Sequence, residues 1–303
     1  MNIIELNQHF AIPGHVEITE GPGSLPQIRV TNTAATAVIS VYGGQVLSYH
    51  RHGEDELLFL SERAYYADGK AIKGGVPVCW PWFGADPTGQ GRPAHGFVRT
   101  RLWSVGATAQ PEPGLTRVEL RLHDDDTTRT LWPHHFALSL VVTVGQTLDL
   151  ELVTRNTGDR PFDITQAFHT YFLVGAIEQA GVDGLDGCRY LDKVHDFAGF
   201  EQSGTVAFDG EVDRIYQQVK QPLGISDPAL GRRIDIACSG STTAVVWNPW
   251  RAISTSMQDL ADDDYRRLLC VETANAADEV ITIQPGAQYR LRASYGQSAL
   301  APA

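Results

Sequence analysis

The chain has 303 residues, of which 43% are hydrophobic and 20% are charged. This is the composition of an ordinary globular protein with ample apolar material for a large core, and it argues against a disordered chain. Aspartate and glutamate number 36 against 24 lysine and arginine, so the net charge of -12 disfavours nucleic acid and anionic membranes as partners.

The cysteines and the N-terminal sequence bear on the compartment. Four widely spaced cysteines (Cys79, Cys188, Cys238 and Cys270) include no CxxC pair, which predicts free thiols. The sequence MNIIELNQHF has no basic leader and no long apolar run, and no strand is long enough to span a bilayer. We therefore expect a cytoplasmic protein without a membrane partner, and we expect it to be a monomer.

Short apolar runs separated by turn residues dominate the first part of the chain. They lie at 27–30, 37–41, 45–50 and 56–60, and this spacing predicts successive antiparallel strands. The stretch 65–91 is different, because it is rich in glycine, proline and aromatic residues. Pro77 and Pro81 exclude a central strand or a helix interior there.

Alternating residues predict further strands in the second part of the chain. Leu148, Leu150 and Leu152 alternate with Asp149 and Glu151, which indicates one buried face and one wet face of an antiparallel sheet. A two-residue Gly-Gln connection at 145–146 predicts a type II′ hairpin, and Gln-Pro-Gly-Ala at 284–287 predicts a type II turn. The predicted strands lie at 117–122, 136–144, 147–156, 242–247, 268–273, 280–283 and 289–295.

The pattern as a whole predicts the fold class. Helical periodicity is almost absent, no segment repeats at a fixed period, and no linker separates two compositions. The sequence therefore predicts an all-β fold, with a single antiparallel β-sandwich domain over residues 1–303 and its core at about residues 21–295.

Several motifs that carry specific chemistries are missing. The sequence has no GxxxxGK[ST] phosphate loop, no GxGxxG after a strand, no GxSxG elbow and no HExxH helix. The histidine pairs at 50/52 and 134/135 have no third ligand at a useful spacing. We expect no cofactor and no metal.

One histidine lies opposite an apolar face in the segment PFDITQAFHTYFLVG, residues 161–175. With the period of two of an extended chain, three phenylalanines and an isoleucine fall on one face, and His169 falls on the other with Thr165, Ala167 and Tyr171. These neighbours indicate a concave, semi-enclosed surface on which a substrate could lie. The alternative is a hydrogen-bonded structural histidine.

A second candidate is Glu272, which ends a run of four apolar residues on a predicted core strand. Burying an ionised carboxylate is costly unless it is paired or its pKa rises. Glu272 could instead cap Ala274 and Asn275 or bond a turn. A desolvated glutamate facing a histidine across a sugar-sized groove would be a matched base and acid near neutral pH.

Positive charge is concentrated in residues 70–101. This stretch has five basic residues against the single acid Asp86, a local charge of +4 in an acidic chain. The charges bracket a loop rich in glycine, tryptophan and histidine, an arrangement suited to recognising an anion, although scattered solvated charges are the alternative. The basic residues are Lys70, Lys73, Arg92, Arg99 and Arg101.

Five segments together resemble one known family. With these segments in this order along the chain, the sequence resembles the hexose-6-phosphate mutarotase (glucose-6-phosphate 1-epimerase) branch of the galactose mutarotase superfamily, over about residues 21–295. The resemblance implies a large antiparallel β-supersandwich. The segments are KGGVPVCWPWFG (73–84), AHGFVR (94–99), FHTYF (168–172), GEVDRIY (210–216) and ETAN (272–275).

The resemblance also implies roles for particular residues. His169 would donate a proton to the sugar ring oxygen, and Glu272 would take the proton of the C1 hydroxyl. His95 would support the ring oxygen, and Asp213 would bind sugar hydroxyls.

Lys73 and Arg99 would contact hydroxyls or the phosphate. Relatives commonly have arginine where this chain has Lys73, which keeps the charge but loses the bidentate fork. Trp80, Trp82 and Trp247 are candidates for stacking on the sugar, with a place in the core as the alternative for at least one of them.

The implied activity is interconversion of the α and β anomers of a hexose 6-phosphate, with glucose 6-phosphate as the expected substrate. Proton transfer opens the ring to an aldehyde, which rotates about C1–C2 and recloses, without a cofactor. Three alternatives stay open. They are a non-catalytic carbohydrate-binding sandwich, a mutarotase of unphosphorylated aldohexoses, and a glycoside hydrolase with Asp213 and Glu272 as its two carboxylates.

Overall fold

The computed structural model describes residues 2–220 and 222–300, and nearly all of its regular structure is β-strand. The strands are β1 (Val16–Glu20), β2 (Pro26–Thr31), β3 (Ala35–Ser40), β4 (Gln45–Arg51), β5 (Val78–Cys79), β6 (Ser104–Glu112), β7 (Leu115–His123), β8 (Phe136–Val144), β9 (Leu148–Asn156), β10 (Phe162–Ile164), β11 (Gln166–Phe168), β12 (Tyr171–Leu173), β13 (Gly181–Asp183), β14 (Arg189–Asp192), β15 (Ala198–Glu201), β16 (Val212–Tyr216), β17 (Leu223–Asp227), β18 (Arg232–Ser239), β19 (Thr243–Asn248), β20 (Leu268–Asn275), β21 (Ile281–Ile283) and β22 (Gln288–Ala299).

Helices are few and short. The α-helices are α1 (Ile3–Phe10), α2 (Asp126–Leu131) and α3 (Trp250–Ser256). Single 3-10 turns cover Pro22–Ser24, Val98–Thr100, Ile177–Gln179, Lys193–His195 and Asp264–Arg266. In the described ranges, none of the helices is both long and apolar enough to cross a membrane.

The strands form two eight-stranded antiparallel sheets. The first sheet has the order β15-β14-β16-β19-β20-β11-β5, with β12 also paired to β20. The second sheet has the order β13-β17-β18-β22-β9-β8-β7-β6. A four-stranded sheet, β1-β2-β3-β4, and the pair β10-β21 accompany them. The predicted all-β antiparallel architecture is confirmed.

Strict alternation of burial explains the second sheet. Inward residues of β8 and β9 are buried and outward residues are partly exposed, as the sequence pattern predicts. One large apolar cluster draws Val30 from β2, Leu150 from β9 and Val246 from β19. Truncating such a buried leucine to alanine costs about 2–5 kcal/mol.

Some local predictions hold and others are wrong. Residues 56–60 form no strand, and only single bridges, Leu58 to Phe172 and Leu60 to Gly74, occur there. The β8–β9 connection is not a two-residue type II′ turn, because Val144 pairs with Leu148 and leaves three residues between the strands. The type II turn at 284–287 is confirmed, since Gly286 has φ 76° and Ala287 N–H donates to the carbonyl oxygen of Gln284 at 3.0 Å.

Two further features concern the chain before the large sheets. Helix α1 was not predicted, and Asn2 caps it by accepting a hydrogen bond from Ile4 N–H at 3.0 Å. Strand β5 has only two residues and lies at the end of the first sheet, which agrees with the exclusion of a central strand by the flanking prolines. The four cysteines are free, as predicted.

Candidate active site

One face of the first sheet carries polar side chains, and the register of its strands explains why. Asp213 pairs with Trp247, which pairs in turn with Cys270, while Val245 pairs with Glu272. Directly paired residues in antiparallel strands share a face, and so do residues two apart. These side chains therefore lie together on one face, while the alternate residues pack into the core.

His169 lies where the edge of this sheet is interrupted. Phe168 ends β11 and Tyr171 begins β12, and both strands pair with β20. His169 N–H donates to the carbonyl oxygen of Pro77 at 2.9 Å, and the hydroxyls of Thr170 and Tyr295 are 2.7 Å apart. The predicted division of faces is confirmed, but the segment forms three short strands rather than one.

His169 and Glu272 form a buried pair. Nε2 of His169 is 3.5 Å from Oε1 of Glu272, and the residues are 8% and 2% exposed. Nδ1 of His169 and Oε2 of Glu272 have no hydrogen-bond partner among the described residues. Buried polar atoms are normally paired, so these two atoms are exceptions that a purely structural role of the pair does not explain.

The geometry corrects two expectations about Glu272. The two side chains do not face each other across a sugar-sized groove, because they project from neighbouring strands of one sheet and are therefore adjacent. Within the described residues, the carboxylate of Glu272 does not cap Ala274 or Asn275.

Burial shifts the pKa values of this pair in opposite directions. Loss of water lowers the pKa of His169 well below its usual value, and the cations Arg99 and Lys73 lower it further. Loss of water raises the pKa of Glu272 well above its usual value, and the charge of Asp213 adds to this. Burial therefore favours the form of the pair in which both groups are uncharged, with its single proton on the carboxyl group.

Aromatic rings hold the imidazole of His169 in place. Tyr171 stacks on it with ring centroids 4.8 Å apart and planes 9° apart, while His95 and Trp247 meet it edge-on at 5.5 and 6.1 Å. The proposed stacking role of two tryptophans is wrong, because Trp80 and Trp82 are buried in the main core.

All six candidate site residues line one cavity of about 250 Å³. This volume is slightly below the usual range for ligand pockets, about 300–1,000 Å³. The six residues are Lys73, His95, Arg99, His169, Asp213 and Glu272, and Trp247 also lines the cavity.

The positive stretch 70–101 separates into two groups. Lys73 and Arg99 line the cavity, whereas Arg92 binds Asp86 and Lys70 lies 5.6 Å above the ring of Tyr65. The cluster is therefore not one anion site, because only two of its five cations reach the cavity.

The two cations that reach the cavity differ in their partners. Nζ of Lys73 is 3.5 Å from Oδ2 of Asp259, so this ammonium already has a carboxylate beside it. Nη2 of Arg99 donates to the carbonyl oxygen of Ala94 at 2.9 Å, and the guanidinium has no ion pair among the described residues. Arg99 is the cation best placed to gain an anionic ligand.

Lys193 is a cavity residue that the sequence reasoning missed. Its Nζ is 2.5 Å from Oδ2 of Asp213, and both side chains line the cavity. Burial raises the pKa of Asp213, and the charge of Lys193 opposes this rise. The sequence around Lys193 has no motif, so only the pairing of β14 with β16 could have revealed it.

Larger concavities exist elsewhere on the surface. One of about 640 Å³ lies over the outer face of the second sheet, where Glu151 pairs with Arg290 and Arg292. The charged residues that line it are partly or fully exposed, so it holds no buried acid and base among the described residues. Its size alone therefore does not indicate a site of proton transfer.

Comparisons with known proteins agree with this geometry. The aldose 1-epimerase family matches residues 26–296. A Cenchrus ciliaris protein provisionally named glucose-6-phosphate 1-epimerase is 37% identical over 286 residues, which cover 91% of this chain and 86% of that protein. A crystal structure of a Salmonella typhimurium protein, provisionally named a mutarotase, has a TM-score of 0.90 at 33% identity and covers 96% of each chain.

A more distant structure shows the fold alone. A galactose mutarotase related enzyme from Lactobacillus acidophilus is 14% identical, with a TM-score of 0.71 over 90% of this chain and 97% of that one. The expected galactose mutarotase-like fold is thereby confirmed. With a family match over most of its length and a relative at 37% identity, the chain belongs to the aldose 1-epimerase family.

Proposed function

We propose that this protein interconverts the α and β anomers of a hexose 6-phosphate, with glucose 6-phosphate as the substrate. The observation that carries the proposal is the buried pair of His169 and Glu272, 3.5 Å apart at a sugar-sized cavity. The name of the Cenchrus ciliaris relative supports the choice of sugar.

The separation of the pair suits ring opening. The reaction removes a proton from the C1 hydroxyl and gives one to the ring oxygen, and both oxygens are bonded to C1. An acid and a base 3.5 Å apart can reach both of these oxygens at once. Glycoside hydrolysis instead needs two carboxyl groups about 5–9.5 Å apart, and Asp213 is already paired with Lys193.

The proton count of the pair also suits this reaction. In the reactive form Glu272 is ionised and His169 is protonated, which is the same number of protons as in the neutral form that burial favours. When Glu272 takes the hydroxyl proton and His169 releases its proton to the ring oxygen, both groups become neutral. Ring opening therefore converts the pair into its favoured form, and reclosure on either face of the aldehyde reverses the transfers.

The other cavity residues supply recognition in this proposal. Arg99 binds the phosphate through charged hydrogen bonds, and Lys73 contributes a weaker point charge. Asp213, held by Lys193, accepts hydrogen bonds from sugar hydroxyls. His95 donates a hydrogen bond near the ring oxygen.

Three broader expectations belong to the same proposal. We propose one domain over residues 1–303, and the support is that the largest apolar cluster joins both eight-stranded sheets. A cytoplasmic location and a monomeric state are proposed from composition and charge. Size-exclusion chromatography with light scattering tests the monomer.

The deciding experiment measures anomer exchange by NMR for glucose 6-phosphate and for glucose. We expect accelerated exchange with higher catalytic efficiency for the phosphorylated sugar. A protein that binds sugar but leaves the spontaneous rate unchanged would be a carbohydrate-binding module. A preference for free glucose would assign an unphosphorylated aldohexose as the substrate instead.

A further inference from the structure

The loop at residues 84–95 closes on itself beside the cavity. His95 N–H donates to the carbonyl oxygen of Gly84 at 2.7 Å, and Gly84 N–H donates in return to Nδ1 of His95 at 3.4 Å. A ring nitrogen that accepts an N–H hydrogen bond carries no proton. A neutral His95 must therefore carry its proton on Nε2.

An ion pair braces this loop from inside. Asp86 accepts hydrogen bonds from Nε and Nη2 of Arg92 at 2.8 and 2.6 Å. The same carboxylate also accepts from the backbone N–H groups of Thr88, Gln90 and Arg92 at 3.0, 2.8 and 3.1 Å. The side chains of Asp86 and Arg92 are only 6% and 11% exposed although the loop around them lies at the surface, so this is a partly buried, well hydrogen-bonded pair.

The same guanidinium attaches the loop to the body of the protein. Its carbon atom lies 4.0 Å from the ring centroid of Trp82, and Nη1 donates to the carbonyl oxygen of Leu131 at 3.0 Å. Trp82 Nε1 donates to the carbonyl oxygen of Pro93 at 3.0 Å. Arg92 thus links the loop to the core and to the end of α2.

The backbone at the end of the loop adopts conformations that need such support. His95 has φ 62°, a left-handed conformation uncommon for a residue with a side chain. Gly96 follows with φ 73°, and a Cβ atom there would lie 1.8 Å from the carbonyl oxygen of Trp80. Left-handed backbone at a non-glycine residue persists only where the surroundings fix it.

We propose that this loop fixes His95 as a neutral hydrogen-bond donor through Nε2–H, and that Arg92 is the positioning residue that holds it there. The inference deepens the proposed function and rests on it. Of the two imidazoles, whose centroids are 5.5 Å apart, only His169 then exchanges protons with the sugar. His95 stabilises charge on a substrate oxygen without competing for the proton.

The surroundings of His95 agree with a neutral ring. Burial, together with the charges of Arg99, Lys193 and Lys73, lowers the pKa of His95 to about 3. The edge-on contact of Phe83, with centroids 4.9 Å apart, adds an apolar neighbour and no acceptor.

The first test reads the tautomer directly. Long-range ¹H–¹⁵N NMR of histidine-labelled protein distinguishes Nδ1–H, Nε2–H and the imidazolium, and His95→Gln identifies the His95 signals by their loss. We expect the Nε2–H tautomer, unchanged between about pH 6 and 8. An Nδ1–H tautomer, or titration near the ordinary histidine pKa of about 6.5, overturns the proposal. Since this readout needs no turnover, it stands apart from the proposed function.

The second test removes the ion pair between Arg92 and Asp86 that holds the loop. Arg92→Lys keeps the charge but loses the fork, and Arg92→Ala loses both. For each variant we expect a mixture of His95 tautomers and a fall of about 10-fold in kcat with KM nearly unchanged, because misplacing one donor weakens transition-state contacts. Arg121→Ala is the control, since Arg121 also makes two hydrogen bonds to a carboxylate, that of Glu119 on β7, away from the cavity.

The outcomes separate clearly. A single Nε2–H tautomer and wild-type kcat in a folded Arg92→Lys protein would show that Arg92 does not position His95. An equal loss of kcat in Arg121→Ala would show that any lost ion pair has this effect, and it would also overturn the role of Arg92.

Discussion

Two parts of the cavity differ in how their charged groups are paired. We call them the floor, formed by His169 and Glu272, and the rim, formed by Lys73, Arg99, Lys193 and Asp213. On the floor, His169 and Glu272 are almost completely buried, and each keeps one polar atom without a partner among the described residues. On the rim, Asp213 pairs with Lys193 at 2.5 Å and Lys73 with Asp259 at 3.5 Å. The floor therefore has buried polar atoms without partners, whereas most charges on the rim are already paired in the absence of a ligand.

This difference suggests that proton transfer takes place at the floor and that the rim recognises the substrate. Desolvation on the floor raises the pKa of the carboxyl group and lowers that of the imidazole, which favours proton transfer at this pair. On the rim, the only hydrogen-bond partner of the Arg99 side chain among the described residues is a backbone carbonyl, so discrimination in favour of a phosphate is concentrated in this residue. Changes to the floor should therefore affect every sugar, and changes to the rim should affect phosphosugars most.

The largest effect is expected for His169→Asn. This variant removes the acid while leaving the core face of the strand intact, so the fold should persist. Exchange NMR should show a loss of about 10² to 10⁴ for both glucose 6-phosphate and glucose. His9→Asn, on the exposed face of α1, is the control. Activity within about 3-fold of the wild type would remove His169 from the role of acid.

Glu272→Gln should abolish turnover nearly as completely while ligand binding is retained. It should also stabilise the protein at about pH 8, because burial raises the pKa of Glu272 and ionisation therefore costs folding free energy above the unfolded-state pKa. Each unit of pKa difference corresponds to about 1.4 kcal/mol.

The stabilisation by Glu272→Gln should disappear at about pH 4, where the carboxyl is protonated in both states. Thermal melting of both proteins at the two pH values measures it. A lower melting temperature of the variant at the higher pH would contradict the burial cost, and near-normal turnover would move the base elsewhere, with Asp213 as the next candidate.

Arg99→Ala tests the rim. Losing charged hydrogen bonds to the phosphate should cost about 1.5 to 3 kcal/mol, which is about 10- to 150-fold in kcat/KM for glucose 6-phosphate. The weaker exchange of free glucose should change little, and salt should weaken only the phosphosugar. Equal losses for the two sugars would show that Arg99 holds the ring or the fold.

The pH dependence of the activity tests the pair of His169 and Glu272 without a mutation. The active pair holds one proton, so activity should fall about 10-fold per pH unit below the lowered pKa of His169 and above the raised pKa of Glu272. Free glucose is the substrate to use, because the phosphate group itself titrates near pH 6. A decline towards alkaline pH centred near 6.5, as for an ordinary imidazolium acid, would contradict the shifted values.

The smallest effect is expected for Asp259→Asn. Releasing Lys73 from its carboxylate should improve the affinity for glucose 6-phosphate by about 2- to 5-fold, the value of a partly exposed ion pair. Affinity for glucose is the internal control. An unchanged KM for the phosphosugar would place Lys73 against sugar hydroxyls rather than the phosphate.

The sequence carried much of the fold because alternation is a local signal. The buried and exposed faces of β8 and β9 follow directly from their residues. The strands β13 to β17 were not predicted, because they are short and pairing with their neighbours, rather than their own patterns, stabilises them. The longer strand β18 was also not predicted. Helix α1 was missed because eight residues with one apolar stripe give little periodicity.

For the candidate site, motifs identified residues but not their neighbours. All six residues taken from the motifs line one cavity. Lys193 was missed, and the direct adjacency of His169 and Glu272 was not foreseen, because both depend on cross-strand register between distant parts of the chain. The tryptophans of the 73–84 segment were misplaced because composition does not distinguish a core aromatic from one that lines a cavity.

The strand order has a consequence for how the protein is made. Strands β20 and β22 come late in the chain but lie inside the two large sheets, where β20 joins β19 to β11 and β22 joins β18 to β9. During synthesis, both sheets must wait for residues 268–299 before their halves can pair.

Until those residues leave the ribosome, β9 and β19 are open edges that can pair with other chains. The same residues supply Glu272 and, through Tyr295, the hydroxyl that meets Thr170 beside His169. Nascent chains should therefore gain activity in one late step, and the interval before it is when chaperones matter most to this protein.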